Sequence, residues 1–287
     1  MKKIILILII ILGIGVWGWR KIFFKKTENK TANETVRLEP TRILVSPTVT
    51  VIPTKKLLSF EEMNKISGPC AVVKVMMYHH VEEDGEANKK NITKLAVDPE
   101  TFKKQMQYLK DNGYSIVGPE EIINFFDNAG QLPKRAVMIT FDDAYEDNYR
   151  LVWPILKEFG YKATVFVPTG LVNNENYLSW QNISQMNGAG IYFGNHTWSH
   201  KGSNGTVEAQ KKEIELADQQ LAEKGQNQLK IFAYPYGTPS NNAEKVLSDL
   251  GYKMAFTTNY GTVLCRGKRL EMPRVRIEKG SLKSYGF

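Results

Sequence analysis

The sequence predicts an α/β domain built on parallel strands, and three observations carry that expectation. From Ala71 onward, short apolar runs that read as strands alternate with stretches of helical period. One run, Ala136 to Thr140 in RAVMITFDDAYEDN, is almost wholly apolar and β-favouring, the pattern of a strand buried on both faces. Four polar motifs, YHH, FDD, NHTWSH and YPYG, each fall where a predicted strand ends and a loop begins. In a (β/α) barrel those loops share one face, where active sites are built, so the motif positions favour a barrel over a doubly wound sheet.

The elements follow in order. Met1 to Lys26 reads as a targeting segment: Lys2 and Lys3 precede a charge-free run from Ile4 to Trp19, and Arg20, Lys21, Lys25 and Lys26 follow it. The run ends in Trp-Gly-Trp and basic residues rather than the small residues of a cleavage site, which favours an uncleaved membrane anchor over residues 1–26. Residues 27–59 are rich in Thr, contain Pro40, Pro47 and Pro53, and have no helical period, as expected of an extended stalk. Residues 60–287 then suffice for one large α/β domain. Within it, Ala71–Tyr78 reads as a strand. Asp98-Pro99 caps a helix carrying Phe102, Met106 and Leu109, stopped by Gly113. Ser115–Val117 is a short strand and Glu120–Asp127 a helix. Ala136–Phe141 is a strand, and a helix over 147–159 follows with Pro154 as a kink. Strand 163–167, helix 180–186 capped by Ser179, strand 191–194 and the long helix 206–224 come next. Strands 230–234, 254–258 and 273–277, with a helix near 243–250, complete about eight strands.

The formal charge of +8 belongs to the N-terminal segments. Residues 1–60 hold 11 Lys/Arg and 3 Asp/Glu, whereas residues 61–287 hold 27 of each. A basic anchor and stalk suit an anionic membrane surface. The neutral domain gives no support to nucleic-acid binding. Cys70 and Cys265 have no metal-site spacing; they could pair in an oxidising compartment or remain buried free thiols.

Chemistry concentrates at two places. Asp142 and Asp143 are adjacent carboxylates at the end of a buried strand, where they repel each other and resist desolvation unless a positive charge compensates. The chain has only four histidines, in two tight groups: His79 with His80, and His196 with His200. The second pair is four apart, so one helical turn would point both rings the same way, as metal-binding pairs do. Two His and one Asp would supply the three protein ligands of an open, catalytic zinc-type site.

ITFDDAYEDN, NHTWSH and AYPYG together resemble the motifs of the NodB-homology polysaccharide deacetylases. These are metal-dependent carbohydrate esterases with a distorted, incomplete (β/α) barrel, and the resemblance runs from Val72 to Ile277. It implies that Asp142 is the general base and that Asp143, His196 and His200 hold a divalent metal, expected to be Zn2+. It further implies a Tyr236 backbone N–H at the oxyanion, with Tyr236 and Trp198 lining the substrate groove. Three positions depart from the family pattern. Ala144 stands where the motif has glycine, Ala233 stands where it has arginine, and the late histidine motif is absent, the last strand reading EMPRVRI. MMYHH instead resembles the branch of poly-N-acetylglucosamine deacetylases, in which the barrel order is permuted and the acid histidine comes first. On that resemblance His79 is the general acid, and Arg274 could replace the missing arginine in orienting Asp142. The expected activity is N-deacetylation of a GlcNAc-containing polysaccharide outside the cell membrane; an O-acetyl esterase or a carbohydrate-binding protein on the same fold are the alternatives.

Overall fold

A computed structural model describes residues 58–287. The expected anchor and all but the last two residues of the expected stalk lie outside the described residues. Among the described residues no helix is long and apolar enough to cross a membrane.

Helix α1 (Phe60–Ser67) starts at a reciprocal capping box between Ser59 and Glu62. Strand β1 (Cys70–Tyr78) follows, then the short β2 (His80–Val81), α2 (Asp84–Lys89) and β3 (Ala96–Val97), which pairs with β2. The Asp98 side chain caps α3 (Pro99–Asp111), which buries Phe102, Met106 and Leu109. Next come β4 (Ser115–Ile116), α4 (Pro119–Asn128) and β5 (Ala136–Phe141). The expected single helix over 147–159 divides: a wide π-type turn spans Asn148–Val152, and α5 (Trp153–Phe159) follows with Pro154 in its first turn. Proline is tolerated there because the first N–H groups of a helix have no partner inside it. The chain continues through β6 (Ala163–Val167), α6 (Trp180–Met186), β7 (Ile191–Asn195), α7 (Val207–Glu223) and β8 (Ile231–Ala233). It ends with α8 (Asn241–Asp249), β9 (Met254–Tyr260), β10 (Val263–Cys265) and β11 (Met272–Arg276).

The parallel strands close into a ring in the order β1, β5, β6, β7, β8, β9, β11 and back to β1. The ring has seven strands rather than about eight, because Ser115–Ile116 lies outside it. That two-residue strand pairs only with Ala136 and Val137 of β5, and β6 takes the same edge higher up, at Thr140 and Phe141.

Alternation along the strands separates two layers. Val137, Ile139 and Phe141 of β5, with Met76 and Tyr78 of β1, pack outward against α3, α5 and α6. Ala136 and Met138, with Val73 and Val75, join residues of β6, β8, β9 and β11 in one interior cluster. Ile122 and Phe126 of α4 belong to that interior cluster too, so α4 closes the floor of the barrel. At the same end, β10 runs antiparallel to the start of β1, and Cys70 and Cys265, directly opposite in register, form a disulfide. The pairing left open by the sequence is thereby settled.

Candidate active site

The site occupies the other end of the barrel, where the inward parity of two strands runs out in ionisable side chains. On β5, Ala136, Met138 and Thr140 are followed on the same face by Asp142, which is 3% exposed. On β1, Val73, Val75 and Met77 are followed by His79, half-buried at the mouth.

Asp142 is gripped by Arg274 of β11, a fully buried guanidinium. Nη1 and Nη2 donate to the two carboxylate oxygens at 2.7 and 2.6 Å, Nε donates to the Thr257 carbonyl at 2.8 Å, and Nη1 reaches Thr140 Oγ1 at 3.2 Å. A bidentate pair of this kind fixes orientation as well as charge. Burial pushes the Asp142 carboxyl up, but Arg274 more than offsets it and leaves the group below the usual carboxylate value. Arg274 stands two strands round the barrel from Ala233, the position at which the family pattern has arginine.

Asp143 and Ala144 both adopt left-handed backbone, with φ of 72° and 54°. That conformation costs an L-residue about 1–2 kcal/mol. The loop carrying Asn176–Leu178 supports it: Leu178 N–H donates to the Ala144 carbonyl at 2.9 Å, and Glu146 N–H to the Asn176 carbonyl at 2.9 Å. The turn swings the Asp143 carboxylate away from Asp142 and toward the histidine loop.

His196 and His200 do converge, but not on a helix. Residues 196–200 form an irregular loop in which Thr197 and His200 have φ of 65° and 57°. Asn195 holds its start: its side-chain Oδ1 accepts from Thr197 N–H at 2.7 Å while its Nδ2 donates to the Tyr252 hydroxyl and to the Ile214 carbonyl. Glu213 anchors Ser199 from α7. His196 Nδ1 donates to the Ala233 carbonyl at 2.7 Å, which leaves Nε2 free to act as a ligand.

Asp143 Oδ1 lies 3.3 Å from His196 Nε2 and 2.9 Å from His200 Nε2, and one ligand atom from each residue falls within 4.8 Å of the others. Ligands about 2.0–2.2 Å from a shared zinc-type ion sit at such mutual spacings. Asp143 Oδ1 is also buried with no hydrogen-bond partner of acceptable geometry, as a metal-facing oxygen would be. The donor set fits a divalent cation. Burial raises the Asp143 carboxyl, yet the two imidazoles more than offset it and hold it well below the ordinary value.

The remaining predicted residues divide. Burial lowers the His79 imidazole below its ordinary value of 6.5; Asp142 and Asp143 oppose that, and Arg274 and Arg276 add to it. His80, by contrast, points away from the mouth, with Nδ1 2.6 Å from Asp147 Oδ2. Tyr236 is 73% exposed, has φ of 61°, and sets its ring 4.9 Å from that of His200. Trp198 and Tyr236 line one groove with Gly202, Lys201 and Gln210. Sequence reasoning missed Thr140, Asp147 and Asn148. Only the last two carried a signal, as a polar pair four and five residues beyond the adjacent carboxylates.

A family profile described as polysaccharide deacetylase matches residues 129–255. The Bacillus subtilis (strain 168) protein YxkH is 29% identical over 212 residues, 73% of each chain. A Staphylococcus aureus (strain MSSA476) poly-β-1,6-N-acetyl-D-glucosamine N-deacetylase is 27% identical over 209 residues, covering 67% of this chain and 71% of that one. Among solved structures, the Streptococcus pyogenes deacetylase PplD in complex with acetate superposes with a TM-score of 0.67 at 30% identity, covering 72% of this chain and 93% of that chain. With its barrel, its charged mouth and these relatives, the chain belongs to the polysaccharide deacetylase family of hydrolases.

Proposed function

We propose that this protein removes N-acetyl groups from a GlcNAc-containing polysaccharide of the cell envelope or extracellular space, with a divalent cation, expected to be zinc. One observation carries the reading: a buried Asp142, kept ionised by Arg274, stands beside an Asp–His–His ligand set at the barrel mouth. The staphylococcal relatives support the substrate class.

Asp143, His196 and His200 would hold the cation, which would supply Lewis-acid chemistry at the acyl carbonyl. Asp142, oriented by Arg274, accepts the proton of the attacking water. The backbone N–H of Tyr236 steadies the oxyanion, and the Tyr236 and Trp198 rings wall the sugar groove. His79 gives a proton to the departing amine, because an amide anion is too poor a leaving group.

The disulfide supports an oxidising location, which suits a domain held outside the cytoplasmic membrane by a single-pass anchor over residues 1–26. N-terminal sequencing of membrane-extracted protein checks that part: an intact N-terminus supports it, and a mature terminus beyond Lys26 overturns it. The activity itself is tested by acetate release from poly-β-1,6-GlcNAc, peptidoglycan and chitin oligomers. Release that a chelator abolishes and zinc restores is expected. Release from O-acetylated polymers alone would replace this reading with an esterase.

A further inference from the structure

The motif that carries the two carboxylates does not end with them. Four residues past Asp143, Asp147 is 5% exposed, and beside it Asn148 is fully buried. A buried carboxylate is costly unless its oxygens are satisfied. Both oxygens of Asp147 are engaged, and both reach the segment that follows β1. Oδ2 lies 2.6 Å from His80 Nδ1, and Oδ1 accepts from the Val81 backbone N–H at 3.2 Å. Asn148 adds a third tie: its amide donates to Asp147 Oδ1 at 3.0 Å and to the His79 carbonyl at 3.4 Å.

The grip is closed from the other side by Tyr145, whose ring stacks on His80 with centroids 3.6 Å apart and planes 19° from parallel. His80 and Val81 also form β2, whose backbone bonds run to the loop before β3 and to Val97. His79 therefore sits between two fixed points. Tyr78 before it ends the barrel strand with its hydroxyl bonded to Gln105, and His80 after it is clamped. His79 falls on the same strand parity as the interior residues Val73 and Val75, and the charges of Asp142 and Asp143 act on its imidazole.

We propose that Asp147 is a positioning residue for the reaction: by holding His80 and Val81 it sets where the His79 imidazole stands over the catalytic carboxylates. This rests on the reading of His79 as general acid. One turn of chain then does two jobs, placing the base and a metal ligand at its start and fixing the acid segment at its end. A misplacement of about 1 Å can cost 10²-fold in rate, so a carboxylate that never touches substrate can still govern turnover.

The test uses the full chain in metal-loaded form. Asp147→Asn is isosteric, keeps an acceptor for Val81 and removes the charge paired with His80; Asp147→Ala removes both ties. Each is assayed on a GlcNAc oligomer and on 4-nitrophenyl acetate, whose leaving group needs no proton. For Asp147→Asn the expected result is a loss of roughly 10–100-fold in kcat on the amide. The activated ester should change only a few-fold, and bound metal per chain should be unaltered. In a His79→Ala background the same substitution should add almost nothing on the amide. If Asp147→Asn slows both substrates equally, or multiplies fully with His79→Ala, Asp147 is merely structural and the proposal fails. If His79→Ala itself shows no preference for the amide, the acid reading fails, and this proposal with it. Should Asp147→Ala not fold, Asp147→Asn decides alone.

Discussion

The two ends of the barrel are built on opposite terms. At the floor, α4 inserts Ile122 and Phe126 among the first inward residues of the strands, and a disulfide ties β1 to β10. At the mouth, five non-glycine residues, Asp143, Ala144, Thr197, His200 and Tyr236, hold left-handed backbone. There too a carboxylate and a guanidinium are buried together, and a second buried carboxylate has an oxygen without a hydrogen bond. Desolvated charge is concentrated where the chemistry is, and apolar packing with a covalent tie is concentrated where it is not. The floor stabilises what the mouth destabilises.

Breaking the floor should therefore lower stability and spare activity. The disulfide spans 195 residues, for which the chain-entropy account gives about 5 kcal/mol as an upper figure. The pair Cys70→Ser, Cys265→Ser should show a lower denaturant midpoint with kcat at ambient temperature within a few-fold of the native enzyme. Loss of activity in protein that remains folded would show that the two ends are not separable.

Breaking the mouth should do the reverse in part. Arg274→Met leaves Asp142 buried and unpaired, so the chain should lose about 3–5 kcal/mol along with its activity. Adding Asp142→Leu should recover much of that stability with no recovery of turnover, as measured by chemical denaturation beside acetate release. An Ala144→Gly chain relieves left-handed backbone at a smaller scale. It should gain about 0.5–1 kcal/mol, the strain removed less the extra chain entropy of glycine, with metal content retained.

The smallest effect is a pH dependence. Folding lowers the His79 pKa from 6.5, so between the lowered value and 6.5 the unfolded chain binds more protons than the folded one. Stability of metal-free protein should rise as pH rises through that window, and the His79 contribution should be level above it. His79→Gln should flatten this part of the profile; an unchanged slope would place the histidine in water rather than among the residues of the mouth.

Much of this contrast was legible in the sequence, and what was not has physical reasons. Buried-strand patterning located β5, whereas the inward place of His79 came from the family resemblance. The spacing of His196 and His200 suggested convergence but misled about the backbone. Two residues four apart also meet on a loop with left-handed turns at Thr197 and His200, and such turns at a Thr and a His leave no trace in composition. The disulfide depends on a register between β1 and β10 that forms only once the barrel has closed. Arg274 was named only on the resemblance, as a substitute for the missing arginine, because the partners that fix it, Thr140 and Asp142 at the end of β5 and Thr257 of β9, come together only in the closed barrel. Asp147 was hidden by its position before a helix, where an aspartate is common for capping alone.

The central claim is that two adjacent carboxylates of one turn do different work: Asp142 handles a proton and Asp143 holds a metal. Bound divalent metal per chain, measured in Asp142→Asn and Asp143→Asn alongside acetate release, tests it directly. Asp142→Asn should retain one equivalent and be inactive, and Asp143→Asn should lose both metal and activity. Equal metal content in the two variants would contradict the account.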